Sequence, residues 1–101
     1  MASLNFNKIY VNTIPADSSI NFTVTSGKIW KVESVGIGGT KGAVYLKVGA
    51  VNIAILFSTI QDNDYGSQLP YWLDDTVVSG QFVNDSNHAA SVCITEWNIG
   101  A

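Results

Sequence analysis

Phe22-Thr23-Val24-Thr25-Ser26-Gly27-Lys28-Ile29-Trp30-Lys31-Val32-Glu33-Ser34 is the stretch from which the fold is read. Phe22 and Val24 alternate with Thr23 and Thr25, and Trp30 and Val32 alternate with Lys31 and Glu33. Successive strand residues face opposite sides, so a period of two marks a strand with one covered face. Between the two runs lies Ser26-Gly27, and glycine enters positive φ without a Cβ clash. The stretch predicts two strands joined as a hairpin by a Ser-Gly turn.

The same pattern repeats along the chain. Leu4, Phe6, Lys8 and Tyr10 oppose Asn5, Asn7, Ile9 and Val11, a mixed pattern that suits an edge or partly covered strand. Trp30, Val32 and Ser34 form one strand face against Ile29, Lys31, Glu33 and Val35. Val44, Leu46 and Val48 oppose Tyr45 and Lys47, and Val51, Ile53, Ile55 and Phe57 oppose Asn52, Ala54, Leu56 and Ser58. Val77, Ser79, Gln81 and Val83 oppose Val78, Gly80 and Phe82, and Val92, Ile94 and Glu96 oppose Cys93, Thr95 and Trp97. Pro15-Ala16-Asp17-Ser18, Gly38-Gly39-Thr40-Lys41-Gly42, Gly49-Ala50, Asp62-Asn63-Asp64-Tyr65-Gly66-Ser67, Asp74-Asp75 and Asn84-Asp85-Ser86-Asn87-His88 punctuate these runs as turns. The result is about eight short strands at sandwich spacing. No helical period is sustained, and a short helical turn near Ile60 is the one departure from strand that the pattern allows. The expected fold is all-β, a single domain over residues 1–101, built as an antiparallel two-sheet sandwich with jelly-roll topology. An antibody-type sandwich would need a cysteine pair, and Cys93 is alone.

Composition narrows the function. The chain has 101 residues, 47% of them apolar and 13% charged, which suits a packed core and not disorder. A domain of this size is marginally stable by itself, no disulfide can form within it, and oligomerisation is the usual remedy. Five lysines, no arginine and a net charge of −3 argue against nucleic acid and against an anionic membrane surface. The start of the chain has no basic region followed by an apolar run, so no secretory signal is expected. The longest apolar run, 53–57, is too short to span a bilayer. Synthesis in a cytoplasm follows as the default. The acceptor patterns Asn21-Phe22-Thr23 and Asn84-Asp85-Ser86 then carry little meaning.

No catalytic or metal constellation can be assembled. The loop Asp62-Asn63-Asp64-Tyr65-Gly66-Ser67-Gln68 has oxygen ligands at alternate positions, yet Gly66 stands where a calcium loop needs a ligand and the closing glutamate is missing. His88 is the only histidine, and Gly-x-Ser-x-Gly is absent, so neither Ser67, Ser86 nor Ser91 becomes a nucleophile. Cys93, between Val92 and Ile94, reads as a small buried hydrophobe. Glu33 and Glu96 are the only glutamates and do not form a recognisable acid–base pair, and Asp74-Asp75 reads as a turn. Gly36-x-Gly38-Gly39 has no helix behind it to cradle a phosphate. No cofactor, no metal and no enzymatic activity are expected.

The aromatic residues are the remaining signal. Tyr71 and Trp72 are adjacent on a strand and cannot enter the same face, so one of them needs a cover other than the core. That cover is a rim of the sandwich, a subunit interface or a stacked sugar. Tyr71, Trp72, Tyr65, Asp62 and Asp64 are the candidate contact residues for an interface or a glycan.

Together, 22–34, Leu69-Pro70-Tyr71-Trp72-Leu73 and Val92-Cys93-Ile94-Thr95-Glu96-Trp97-Asn98-Ile99 resemble the hairpin, the Pro-aromatic-Trp-Leu strand and the closing strand of small jelly-roll proteins of tailed-bacteriophage virions. The resemblance spans 21–99. It departs from their pattern at Asp74-Asp75, where a Pro-Ala-Gly-type turn is common, and at Trp97, where phenylalanine is common. Members of this group resemble tumour-necrosis-factor-like trimers and serve as capsid decoration, head-fibre, or tail-fibre and receptor-binding modules. The resemblance implies a non-enzymatic homotrimer located in the virion, in contact with the major capsid protein or another virion protein and decorating or stabilising the head. The alternative is a carbohydrate-binding or receptor-binding module that holds host-surface glycans through Tyr71, Trp72 and the 62–67 loop.

Overall fold

The computed structural model describes the backbone of residues 3–39, 42–60, 64–66, 69–75 and 79–100, and the side chains of these apart from 59–60 and 64–66. The strands are β1 (Ser3–Ile14), β2 (Ser19–Thr23), β3 (Lys28–Ile37), β4 (Gly42–Val48), β5 (Val51–Ile60), β6 (Asp64–Gly66), β7 (Tyr71–Leu73), β8 (Ser79–Asp85) and β9 (Ala90–Gly100). A four-stranded sheet has the order β1-β9-β3-β7, and a five-stranded sheet the order β2-β8-β4-β5-β6. Every pairing is antiparallel. The pairings are nested: β4 with β5, β3 with β7, β2 with β8 and β1 with β9. One long hairpin rolled around a core has this connectivity, and it defines the jelly roll. β6 is a short ninth strand on the edge of β5, and Ile60 closes β5 as strand, not as a helical turn.

The deciding stretch folds differently from its hairpin reading. β2 pairs with β8 in one sheet, and β3 pairs with β9 and β7 in the other. Residues 24–27 therefore carry the chain across the sandwich. Gly27 makes the corner at φ +82°, Lys28 N–H donates to Thr25 O at 3.2 Å, and Gly27 N–H donates to the Asp75 carboxylate at 3.0 Å. The physical gain is mutual cover. A two-residue Ser-Gly hairpin would pair Phe22 with Lys31 and Thr23 with Trp30, leaving the two rings on opposite faces. On facing sheets they pack against each other, with ring centroids 5.7 Å apart.

The core is the set of inward positions: Trp30, Val32, Leu73, Val92 and Ile94 from one sheet, and Phe22, Val44, Leu46, Leu56 and Phe82 from the other. Bulges shift the alternation where a strand must change phase. Between Val32 and Ser34 the register of β3 on β9 slips, so Ser34 is exposed and Val35 and Ile37 pack on the core. The face Trp30–Val32–Ser34 read from the sequence thus ends at Val32. A second bulge falls between Phe6 and Lys8 of β1. In β5 the inward set is Ala54, Leu56 and Ser58, which leaves Val51, Ile53 and Ile55 facing out.

Gly80 sits in β8 opposite Phe22, and a Cβ there would lie 2.7 Å from Lys47 O and 2.7 Å from Phe22 Cζ. The backbone carbonyl cannot retreat, so Gly80→Ala should cost about 1–3 kcal/mol through overpacking. Gly36→Ala on β3 meets nothing within 4 Å and should stay within about 0.5 kcal/mol of the parent. Urea unfolding of the two variants checks the contrast.

Candidate functional site

Register defines the outer face of the four-stranded sheet. Leu4 pairs with Ile99, Phe6 with Trp97, Ile9 with Thr95 and Val11 with Cys93, all side chains pointing away from the core. On the far side of β9, Ile29 lies beside Trp97, Lys31 beside Thr95, and Trp72 beside Lys31. Among the described residues, nine large apolar side chains are exposed, and six lie here: Leu4, Phe6, Ile9, Val11, Trp72 and Ile99, with Val11 reaching 69% exposure. Phe6 meets Trp97 edge to face at 5.6 Å.

The polar groups of this face are tied to one another. Trp97 Nε1–H donates to Thr95 Oγ1 at 3.0 Å, and Thr95 Oγ1–H donates to Glu33 at 2.9 Å. Lys31 pairs with Glu33 at 3.5 Å and stands 5.3 Å from the Trp72 ring centroid. The half of the face built from β1 and β9 presents no charge among these outward residues. The uncharged β1–β9 half has the composition of an interface core, and the Lys31–Glu33 pair on β3 separates it from Trp72 on β7.

The inner side of the same sheet holds a buried acid. Glu96 is 4% exposed. Its carboxylate accepts from Trp30 Nε1–H at 2.9 Å, Asn7 Nδ2–H at 2.5 Å and the Tyr10 hydroxyl at 3.3 Å. Burial by itself would raise its pKa, but the three donors and the Lys8 charge outweigh that and hold the carboxyl below the usual range.

The sequence candidates fall as follows. Tyr71 packs on the core while Trp72 is half-exposed on the outer face, the split that strand alternation requires. Asp62 lies outside the described residues, and Asp64 and Tyr65 belong to the backbone of β6, with side chains outside the described set. These five are therefore not brought together as one described site. Glu33 and Glu96 are on opposite faces of one sheet and cannot flank a common groove. Cys93, expected as a buried hydrophobe, is instead half-buried on the outer face beside Val11, because β9 points Val92 and Ile94 inward. Asp75 caps the 24–27 corner, and His88 is exposed with its ring against Gly39. Among the described residues, no group of three His, Cys, Asp or Glu is placed to hold a metal. Leu4, Phe6, Ile9 and Val11 escaped the sequence reading. Their signal was present, since apolar residues on both sides of a bulged strand leave one set uncovered.

Neither the protein-family models nor the curated proteins contain a match to this chain. The class stands on topology alone: a jelly-roll sandwich, of nine strands among the described residues, with an apolar outer face.

A carboxylate with a depressed folded-state pKa contributes stability above its unfolded value, near 4.3, and loses it as pH falls through the folded value. Wild-type stability should therefore be level above about pH 5 and decline on acidification. Glu96→Gln should lower stability by about 1–3 kcal/mol at neutral pH, since a charge-assisted acceptor is lost. It should also flatten the acid limb. Urea midpoints of both proteins between pH 7 and pH 3 report the difference.

Proposed function

We propose that this chain is a non-enzymatic structural subunit that assembles with copies of itself through the outer face of its four-stranded sheet, as a homotrimer that decorates the head of a bacteriophage and contacts its major capsid protein. The observation that carries the reading is the outer face itself. Leu4, Phe6, Ile9, Val11 and Ile99 form an exposed apolar set on β1 and β9, on the scale of the roughly 300–600 Å² of the largest patch on a typical monomer, which is often functional. Edge-to-edge pairing is the rival mode, and β1 is guarded against it. Its Phe6/Lys8 bulge and the Lys8 charge are two of the devices by which edge strands avoid partners. That favours the face over the β1 edge as the contact surface. The three-fold order and the phage setting come from the resemblance of 21–99 to virion jelly rolls.

Light scattering during size exclusion tests the reading. The expected mass is three times the 10.8 kDa of one chain. Val11→Asp, which puts a charge into the exposed apolar set of β1, should yield a folded single chain with unchanged far-ultraviolet circular dichroism. A wild-type protein that remains a single chain at all concentrations overturns the proposal. So does its absence from purified particles of the virus that encodes it.

A further inference from the structure

The outer face of the five-stranded sheet is built differently. Tyr45 lies at its centre on β4, with Val83 of β8 on one side in register and Ile55 of β5 on the other. This makes an apolar stripe one ring wide across three strands. Along one margin, Lys47 is flanked in register by Asn52 and Gln81. Along the other stand the carboxylates of Asp85, two residues beyond Val83, and of Asp17 in the turn before β2. Asp17, Tyr45, Lys47, Asn52, Val83 and Asp85 line an open cleft of about 520 Å³.

The walls are held before any ligand arrives. Asn84 is buried beneath the cleft, and its amide donates to Ile14 O at 3.1 Å, Pro15 O at 3.0 Å and His88 O at 2.8 Å, while its Oδ1 accepts from Ser86 Oγ–H at 2.7 Å. Asn84 N–H donates to Ser18 O and Asp17 N–H to Ser86 O, so the Asp17 turn is locked to the end of β8. Asp17 keeps a left-handed φ of 51° in that lock. Among the described residues, the side chains of Tyr45, Lys47, Asn52, Asp17 and Asp85 have no hydrogen-bond or ion-pair partner. Donors and acceptors are thus uncommitted on a backbone that is already fixed, which lowers part of the ordering cost of binding.

We infer that this cleft binds a neutral saccharide. A pyranose has an apolar C–H face and an equatorial belt of hydroxyls that both donate and accept. The Tyr45 ring and its aliphatic neighbours match the first, and the mixed margin of carboxylates, amide and ammonium matches the second. Two carboxylates against one lysine exclude anionic sugars by charge. The cleft lies on the sheet opposite the self-association face, so it stays open whether or not the subunits assemble. In an oligomer, several such clefts would bind a multivalent glycan more tightly than one.

Saturation-transfer nuclear magnetic resonance tests this with a panel of glucose, galactose, mannose, N-acetylglucosamine and their disaccharides, with sialic acid and glucuronic acid as anionic members. At least one neutral sugar should bind in the millimolar range, and the anionic members should not. Tyr45→Ala should weaken that binding by about 3- to 10-fold, the worth of one aromatic contact, whereas Tyr45→Phe should retain it. Should Tyr45→Ala fail to fold, Asp85→Asn and Asn52→Ala at the margins carry the same test, and each should weaken binding. No transfer to any neutral sugar overturns the inference. So does binding that survives the cleft variants, and so does binding abolished by Trp72→Ala on the opposite sheet.

Discussion

Trp30 is buried, and its indole N–H has to find an acceptor there. The acceptor is Glu96 on the neighbouring strand, and much of the structure depends on that pair. A buried carboxylate is itself costly, so it recruits Asn7 and Tyr10 from β1, which fixes that edge strand to β9 by more than its ladder. The far side of the Trp30 ring faces Phe22, which in turn contacts Phe82 at 4.7 Å. One indole thus links β1, β9 and β3 to the opposite sheet. The bulge at Asn7 follows from the same need, since the extra residue turns Asn7 toward Glu96 and shifts the outward set from Leu4 and Phe6 to Ile9 and Val11.

The two outer faces then divide the chemistry. The four-stranded sheet has spent its polar donors on the inner acid and on the Glu33–Thr95–Trp97 chain, and its β1–β9 half is left apolar. The five-stranded sheet has its buried polar group at Asn84, which organises two loops and leaves the surface groups above it unpaired among the described residues. The first surface suits a copy of the chain, where burial of apolar area drives association. The second suits a small polar ligand, where a fixed set of donors and acceptors matters more than area.

Much of the fold was legible, because a strand buried on one face must alternate. Phe22, Trp30, Val32, Leu46, Phe82, Val92 and Ile94 all face inward as their spacing demands. The hairpin at Ser26-Gly27 was misread because a turn sequence encodes the local bend and not which sheet the next strand joins. The phase of β5 was unreadable because both of its faces are apolar, and only packing against β4 and β3 selects Ala54 and Leu56 over Ile53 and Ile55. Asn84 was read as a surface turn because Asn-Asp-Ser is turn chemistry. Its place two residues after Phe82, in the inward phase, was the available clue. Tyr71 and Trp72 were separated correctly, yet the larger patch on β1 went unseen, since the bulge that selects the uncovered set depends on pairing with β9.

Alternation, punctuation and the single cysteine were enough by themselves to determine an all-β sandwich without disulfides, because they follow from side-chain period and residue chemistry that act locally. Which strands neighbour one another, where the bulges fall, which apolar face stays bare and which polar residues meet in a cleft were decided only by the tertiary structure. Those features depend on contacts between residues as distant as Asn7 and Glu96 or Asn84 and Ile14, and such pairs form only when the closed core makes an unpaired buried polar group too costly to leave.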